Sequence, residues 1–264
     1  MAGPSTAERG ERQQESSGPP LVRRLKKPRL RTIVILAALA VLLGAGGTWV
    51  LYGSTWVCVE HVSVSGTRVL TPAEVLDAAA VPVGAPMISV DTDGIEARLR
   101  RKLPRIDTVD VVRAWPHGIG LKVTERTPVL LSRKGRDFVE IDHEGVRFAT
   151  VSQAPNGVPA LELSLSRTGS AAASFRRFGT DRLVREAVRV AGDLPAAVAA
   201  DTRAVQVRSY DAISLELADG RTVAWGSSEN GRAKARTLAA LMKAAPGARH
   251  FDVSVPTAPA SSGS

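Results

Sequence analysis

The sequence predicts an α+β protein: one N-terminal transmembrane helix, a compact β-α-α-β-β module, then a mixed, β-rich domain ending in a helix and a strand. Three observations lead there. An uncharged run at residues 32–52 lies behind a basic leader. Two capped helix patterns follow one Val-rich strand and precede two more. Beyond them, short β-prone segments separated by turn residues alternate with two amphipathic helical stripes.

The apolar run comes first in the chain. Its twenty-one residues cover roughly 30 Å at the helical rise, the thickness of a bilayer's hydrocarbon core. Arg23, Arg24, Lys26, Lys27, Arg29 and Arg31 crowd its N-terminal side, whereas its C-terminal side offers only Glu60 and His61 before Arg68. That asymmetry keeps residues 1–31 cytoplasmic and exports the rest. A cleaved signal peptide, with Ala38-Leu39-Ala40 as its cleavage site, is the competing reading. The apolar run continues twelve residues past Ala40, which favours a retained anchor. Trp49, Tyr52 and Trp56 are placed to form an aromatic belt at the outer interface.

Net charge is +9, but it is unevenly spread. Residues 1–31 hold 8 Lys/Arg against 3 Asp/Glu, and residues 53–264 hold 27 against 23. Basicity concentrates beside the membrane, where it attracts anionic lipid, and the exported part has few aromatics for base stacking, which disfavours nucleic acid as a partner. Residues 1–22, rich in Gly, Ser, Glu, Gln and Pro, cannot bury enough surface to fold. Cys58 is the single cysteine, so the exported part has neither an intrachain disulfide nor a thiolate zinc site; Cys58 reads as a small apolar residue of a strand, with an intermolecular bridge beside the membrane as the alternative.

The first exported element is a Val-rich strand at 57–64 ending at Gly66. Thr71-Pro72-Ala73-Glu74 then carries an N-cap, a proline at the first helical position and a glutamate three residues after the cap. Val75, Leu76, Ala79 and Ala80 form the stripe of that helix. A second helix starts at Asp93, with Glu96 three residues on, buries Ile95, Leu99 and Leu103, and stops before Pro104. Strand 106–114, the turn Trp115-Pro116-His117-Gly118, and strand 118–125 complete the module, with Ile119, Leu121 and Val123 facing inward. Trp115 is expected to pack on the module's apolar surface or on the neighbouring domain, and Glu125 with Arg126 to form a surface ion pair.

The second domain begins with a hairpin, 137–142 and 146–150, turning at His143-Glu144-Gly145. The Ala- and Ser-rich stretch to 174 carries no clear period. Leu183, Val184, Ala187, Val188 and Ala191 mark a helix ended by Gly192 and Pro195. Strands follow at 204–207, 213–217 and 222–225, the last two joined at Asp219-Gly220. A helix at 231–244 turns Leu238, Leu241 and Met242 inward, and an alternating strand at 250–255 precedes a Pro/Ala/Ser tail.

Taken in order, Val62-Ser63-Val64-Ser65-Gly66, Val111-Val112-Arg113-Ala114-Trp115-Pro116, Lys122-Val123-Thr124-Glu125-Arg126-Thr127-Pro128 and Asp142-His143-Glu144-Gly145-Val146 resemble the FtsQ/DivIB family of bacterial cell-division proteins. The resemblance runs from the apolar run to Val255. It implies a disordered basic cytoplasmic tail at 1–31, a transmembrane helix at 32–52, a POTRA domain at 57–126, a β-rich domain at 127–256 and a disordered tail at 257–264. It also implies a single-pass protein of the cell membrane at the division septum. Its expected role is a non-enzymatic divisome scaffold that recruits FtsB/DivIC-like and FtsL-like bitopic proteins and links them to septal peptidoglycan synthesis.

The residues themselves offer little chemistry. No phosphate-cradling Gly-Lys-Ser/Thr loop and no Gly-x-Ser-x-Gly elbow is present. His61, His117, His143 and His250 fall on separate elements, and Asp142-His143-Glu144 reads as a solvated turn rather than a metal site. No cofactor is expected. A membrane-anchored cell-wall enzyme with an unrecognised site is the alternative function; a POTRA-bearing outer-membrane transporter would need a barrel's succession of strands. The small-residue spacing Ala40, Gly44, Thr48 would let another helix approach within the membrane. For the scaffold, the family's binding mode implies strand addition to an open edge formed by Phe251, Asp252, Val253, Ser254 and Val255. Phe251, Val253 and Val255 are expected on one side of that strand, and Pro256 ends its ladder.

Overall fold

The computed structural model describes residues 30–53, 57–164 and 169–263. The expected cytoplasmic tail, apart from its last two residues, and Trp56 of the expected aromatic belt lie outside the described residues, as does the side chain of Tyr52.

Helix α1, Leu30–Gly53, contains the apolar run. Its stretch Leu30–Trp49 has a mean hydropathy of 2.1 and is long and apolar enough to cross a membrane. Trp49 is exposed, and the Thr48 hydroxyl donates back to the Gly44 carbonyl at 2.8 Å, which satisfies a polar group that lipid could not.

After the apolar helix, the first module has the expected order: β1 His61–Ser65, α2 Pro72–Ala79, α3 Thr92–Lys102, β2 Ile106–Ala114 and β3 Gly118–Glu125. The sheet order is β1-β3-β2, with β1 parallel to β3 and β2 antiparallel to it. Helix α2 starts where the sequence places it. The Thr71 hydroxyl accepts from the Glu74 amide at 3.2 Å while the Glu74 carboxylate accepts from the Thr71 amide at 2.8 Å, a complete capping box. Alternation along β3 also holds, since Ile119, Leu121 and Val123 are buried against Val75, Met87, Ile95 and Leu99. Gly66 follows β1 at φ +87°, where a Cβ would run into the Val123 carbonyl.

Several details differ from expectation. Strand β1 starts at His61 rather than residue 57, because Val59 is tied to Ala85 (3.0 Å) and Cys58 bridges Pro86 across the module. The stripe of α2 buries Ala78 in place of Leu76 and Ala80, since Ala80 is already the left-handed C-cap at φ 46°. Helix α3 is capped by Asp91, which accepts from the Gly94 amide at 2.9 Å, two residues before the expected start. Glu96 is therefore released to accept from the Val111 amide at 3.1 Å and bind the helix to β2. Trp115 is 53% exposed rather than packed in a core: Ala114 and Gly118 are the last paired residues of the hairpin, so the turn projects past the end of the sheet.

The second domain is built on a nine-stranded sheet. Its elements are β4 Leu130–Lys134, β5 Asp137–Ile141, β6 Arg147–Val151, β7 Ala160–Leu163, α4 Gly169–Asp193, α5 Ala196–Asp201, β8 Thr202–Ser209, β9 Ala212–Leu217, β10 Thr222–Gly226, α6 Gly231–Ala244, β11 His250–Asp252 and β12 Ala260–Ser262. The strand order is β12-β11-β10-β9-β8-β7-β4-β5-β6. Helix α4 packs on β8 and α6 on β11. Their stripes, Leu183, Val184, Ala187 and Val188 on α4 and Leu238 on α6, bury Val205, Ile213, Leu215, Trp225 and Phe251 in one core. Helix α4 begins well before its apolar stripe and breaks at Gly179, whose φ of 71° is not helical.

The C-terminal end departs most from the sequence reading. Strand β11 stops at Asp252 because its carboxylate accepts from the Ser254 amide at 2.9 Å and the Ser254 hydroxyl at 2.6 Å, a local turn that competes with the ladder. Val255 lies beyond the strand and is 55% exposed, so it does not share the inward face of Phe251 and Val253. The expected disordered tail holds β12, antiparallel to β11, with Asp252 opposite Ala260 and His250 opposite Ser262.

Candidate functional site

Alternation along β11 decides what the C-terminal edge can offer. The Val253 amide donates to the Ala224 carbonyl and the Thr222 amide to the Arg249 carbonyl, both at 2.9 Å, so Phe251 and Val253 turn their backbone to β10, while the Arg249 amide reaches the Ser262 and Gly263 carbonyls. His250 and Asp252 face the opposite side, where β12 pairs with them. Phe251 and Val253 are 2% and 0% exposed, and their side chains belong to the core rather than to any surface. Asp252 and Val255 keep exposed side chains, and Ser254 is turned into the Asp252 carboxylate. The edge expected at 251–255 is thus covered, and the outermost strand is β12. Because Ala260 and Ser262 turn their backbone groups to β11, Ser261 turns its own outward. Beside this edge a groove of about 380 Å³ runs between β10, β11 and β12, with His250 hydrogen-bonded to Thr222 at 2.7 Å.

Nothing in the sequence pattern marks β12. Ala260-Ser261-Ser262 has no alternation and no β-branched residue, all three side chains are exposed, and only backbone pairing holds the strand. The turn at Val255, where the Ala258 amide donates to the Val255 carbonyl at 3.0 Å, brings the chain back along β11.

A second constellation lies where the first module meets the second domain. Glu125 and Arg126 do not pair with each other. The Glu125 carboxylate accepts from the amides of Arg68 (2.7 Å), Val69 (3.1 Å) and Leu70 (3.0 Å), which closes the loop ahead of α2. Partial burial disfavours its charge, but those amides and nearby Arg105 outweigh burial and hold its pKa below the ordinary carboxylate value. Arg126 points the other way along the chain. Its Nη1 binds Asp142, Glu144 at 3.1 Å and Asp107 at 3.3 Å. Burial alone would lower the guanidinium pKa, and the carboxylates of Asp142 and Glu144 raise it.

Asp142 is fully buried, which corrects its reading as part of a solvated turn. Its Oδ1 accepts from the amides of Glu144 (2.9 Å) and Val146 (2.8 Å), which shapes the β5–β6 turn, and Oδ2 takes Arg126. Beside it Arg105 Nη2 meets Glu140 Oε2 at 2.6 Å, with both side chains largely buried. Two arginines at the end of the first module therefore reach two buried carboxylates of the second domain. Such an arrangement holds the two domains in register. Of the four histidines, His61 and His117 lie side by side, the His61 amide donating to the His117 carbonyl at 3.3 Å. Among the described residues no group of three or more His, Cys, Asp or Glu could hold a metal ion.

Comparison with known proteins bears on both regions. Residues 58–126 match the family model described as POTRA domain, FtsQ-type, and residues 130–254 match the one described as cell division protein FtsQ/DivIB, C-terminal. The chain is 77% identical to a cell division protein FtsQ of Streptomyces collinus over 264 residues, covering all of both chains. It is 74% identical to that of Streptomyces coelicolor, again over 264 residues and all of both chains. Among solved structures, the major extracytoplasmic domain of DivIB from Geobacillus stearothermophilus is similar over 51% of this chain and 97% of its own, at 17% identity and a TM-score of 0.31. The chain belongs to the FtsQ/DivIB family of bacterial cell-division proteins.

Proposed function

We propose that this chain is a non-enzymatic scaffold of the divisome. In this reading residues 1–31 are cytoplasmic, 32–52 span the membrane, and the POTRA domain at 57–126 and the β-rich domain at 127–256 lie outside, at the division septum. They bind FtsB/DivIC-like and FtsL-like bitopic proteins and connect them to septal peptidoglycan synthesis. The basic cluster from Arg23 to Arg31 supports that orientation.

The observation that carries the binding mode is the sheet's end at β12, a short strand with one row of backbone groups turned outward. Phe251 and Val253 hold this edge in place from the core, Asp252 and Ser254 set the turn beside it, and Val255 and β12 present it. A partner segment adds alongside β12. Titrating the full chain in detergent with the extracytoplasmic segment of the FtsB/DivIC-like protein tests this. Ser261→Pro removes the outward amide and should weaken binding about tenfold, whereas Ser261→Ala should bind like the parent. Equal affinity for all three would exclude pairing at that amide.

A further inference from the structure

The nine-stranded sheet has a second end, and its chemistry is different. Strand β6 pairs with β5 and, among the described residues, with no strand on its other side. The register fixes which of its backbone groups are unused. The Val129 amide donates to the Ile141 carbonyl, so Ile141 and Val139 turn their backbone to β4, while Glu140 and Phe138 turn theirs to β6. Ala149 and Val151, opposite Glu140 and Phe138, therefore face inward, and Thr150 presents its amide and carbonyl to the outside.

Along this edge runs a groove of about 540 Å³. Arg133, Lys134 and Arg147 line it, no carboxylate does, and Val139 and Ala149 add apolar surface. Arg147 is steadied by Asp181 at 3.0 Å and Arg133 by the Gly135 carbonyl at 3.3 Å. The Lys134 ammonium has no hydrogen-bond or ion-pair partner among the described residues. Charged edges also guard sheets against aggregation. Here, however, the charges are of one sign and border a groove beside unpaired backbone. At the β12 end the groove offers Asp252 and His250 instead.

We infer that β6 and the cationic groove beside it form a second docking strip, which takes an extended, acidic segment of a partner protein. Such a segment adds as a strand against Thr150, and its carboxylates lie in the positive field of Lys134 and the two arginines, with Arg133 and Lys134 projecting from opposite faces of β4. A nucleic acid fits less well, because the aromatic ring in the groove, Phe148, is only 6% exposed and offers no stacking face. This strip lies at the opposite end of the sheet from β12 and does not depend on binding there.

The test uses the full chain in nanodiscs of phosphatidylcholine and fluorescence anisotropy of labelled peptides of about ten residues. One peptide alternates Glu with Val and Thr, a second replaces every Glu by Lys, and a third keeps the Glu residues but carries a central Pro-Gly-Pro. The first should bind about tenfold more tightly than either of the others, and Lys134→Glu and Thr150→Pro should each lower its affinity about tenfold. Ser261→Pro should leave it unchanged. Equal binding of the acidic and proline-interrupted peptides would mean that charge alone holds them, and would overturn the inference. So would parental affinity in both Lys134→Glu and Thr150→Pro, or a loss that follows Ser261→Pro instead. Should Thr150→Pro fail to fold, amide exchange at Thr150 in the parent decides: slowing on peptide addition supports the strip, and unchanged exchange overturns it.

Discussion

Replacing Arg126 by alanine tests whether the joint between the POTRA and β-rich domains rests on a buried ion pair. Arg126 is 15% exposed and Asp142 fully buried, so water cannot replace the guanidinium at Oδ2. The two amides on Oδ1 remain, and they leave one carboxylate oxygen without a donor. Removing one partner of a buried pair costs about 3–5 kcal/mol. Glu144 is 57% exposed and its contact contributes under about 1 kcal/mol, so the lower end, about 3 kcal/mol, applies. For a folded region of about 200 residues that corresponds to a fall in Tm of about 6–12 °C. Thermal unfolding of the full chain in detergent, followed by near-ultraviolet circular dichroism, measures it. Asp142→Asn keeps the Oδ1 acceptor and removes the buried charge, so the double variant should be more stable than the sum of the single losses by at least about 1 kcal/mol. A shift below about 2 °C in Arg126→Ala, or strict additivity, would show that the joint is held by other contacts.

Glu125 has a folded pKa below its ordinary 4.5, so an unfolded chain takes up that proton first as the pH falls. Its contribution is complete above about pH 4.5 and is lost as the pH drops through the folded value; Glu125→Gln should therefore cost about 1 kcal/mol at pH 7 and less at pH 3. Urea midpoints at the two pH values measure this, and an equal gap at both would assign the loss to packing. Trp115→Ala removes a side chain that is 53% exposed, so its loss of stability should stay under about 2 kcal/mol, short of the 3–5 kcal/mol of a core aromatic. A larger shift in Tm would place the ring against a surface that the structure leaves open.

What the sequence determined by itself is what short-range forces determine. Thr71-Pro72-Ala73-Glu74 starts α2 because the capping hydrogen bonds join residues three apart, and nothing distant competes for them. The hairpin β2–β3 and helix α6 were equally legible, since alternation and the helical stripe each place apolar residues on one face whatever that face meets. The candidate edge was legible only in part. Residues 250–255 announce a strand, but Asp252 ends it through its own side chain, and β12 covers it without any side chain of its own in the core. Strand β4 likewise carries no alternation, with Leu130 and Leu131 both buried, and exists because β5 and β7 flank it. Arg126 and Asp142 lie sixteen residues apart in sequence and meet because the β5–β6 turn is folded against the end of the POTRA sheet. Strand order, edges and buried ion pairs depend on which backbone groups and charges find each other across the molecule. Only the tertiary structure decided that, because the cost of an unpaired buried group is set by its spatial neighbours and not by its neighbours in sequence.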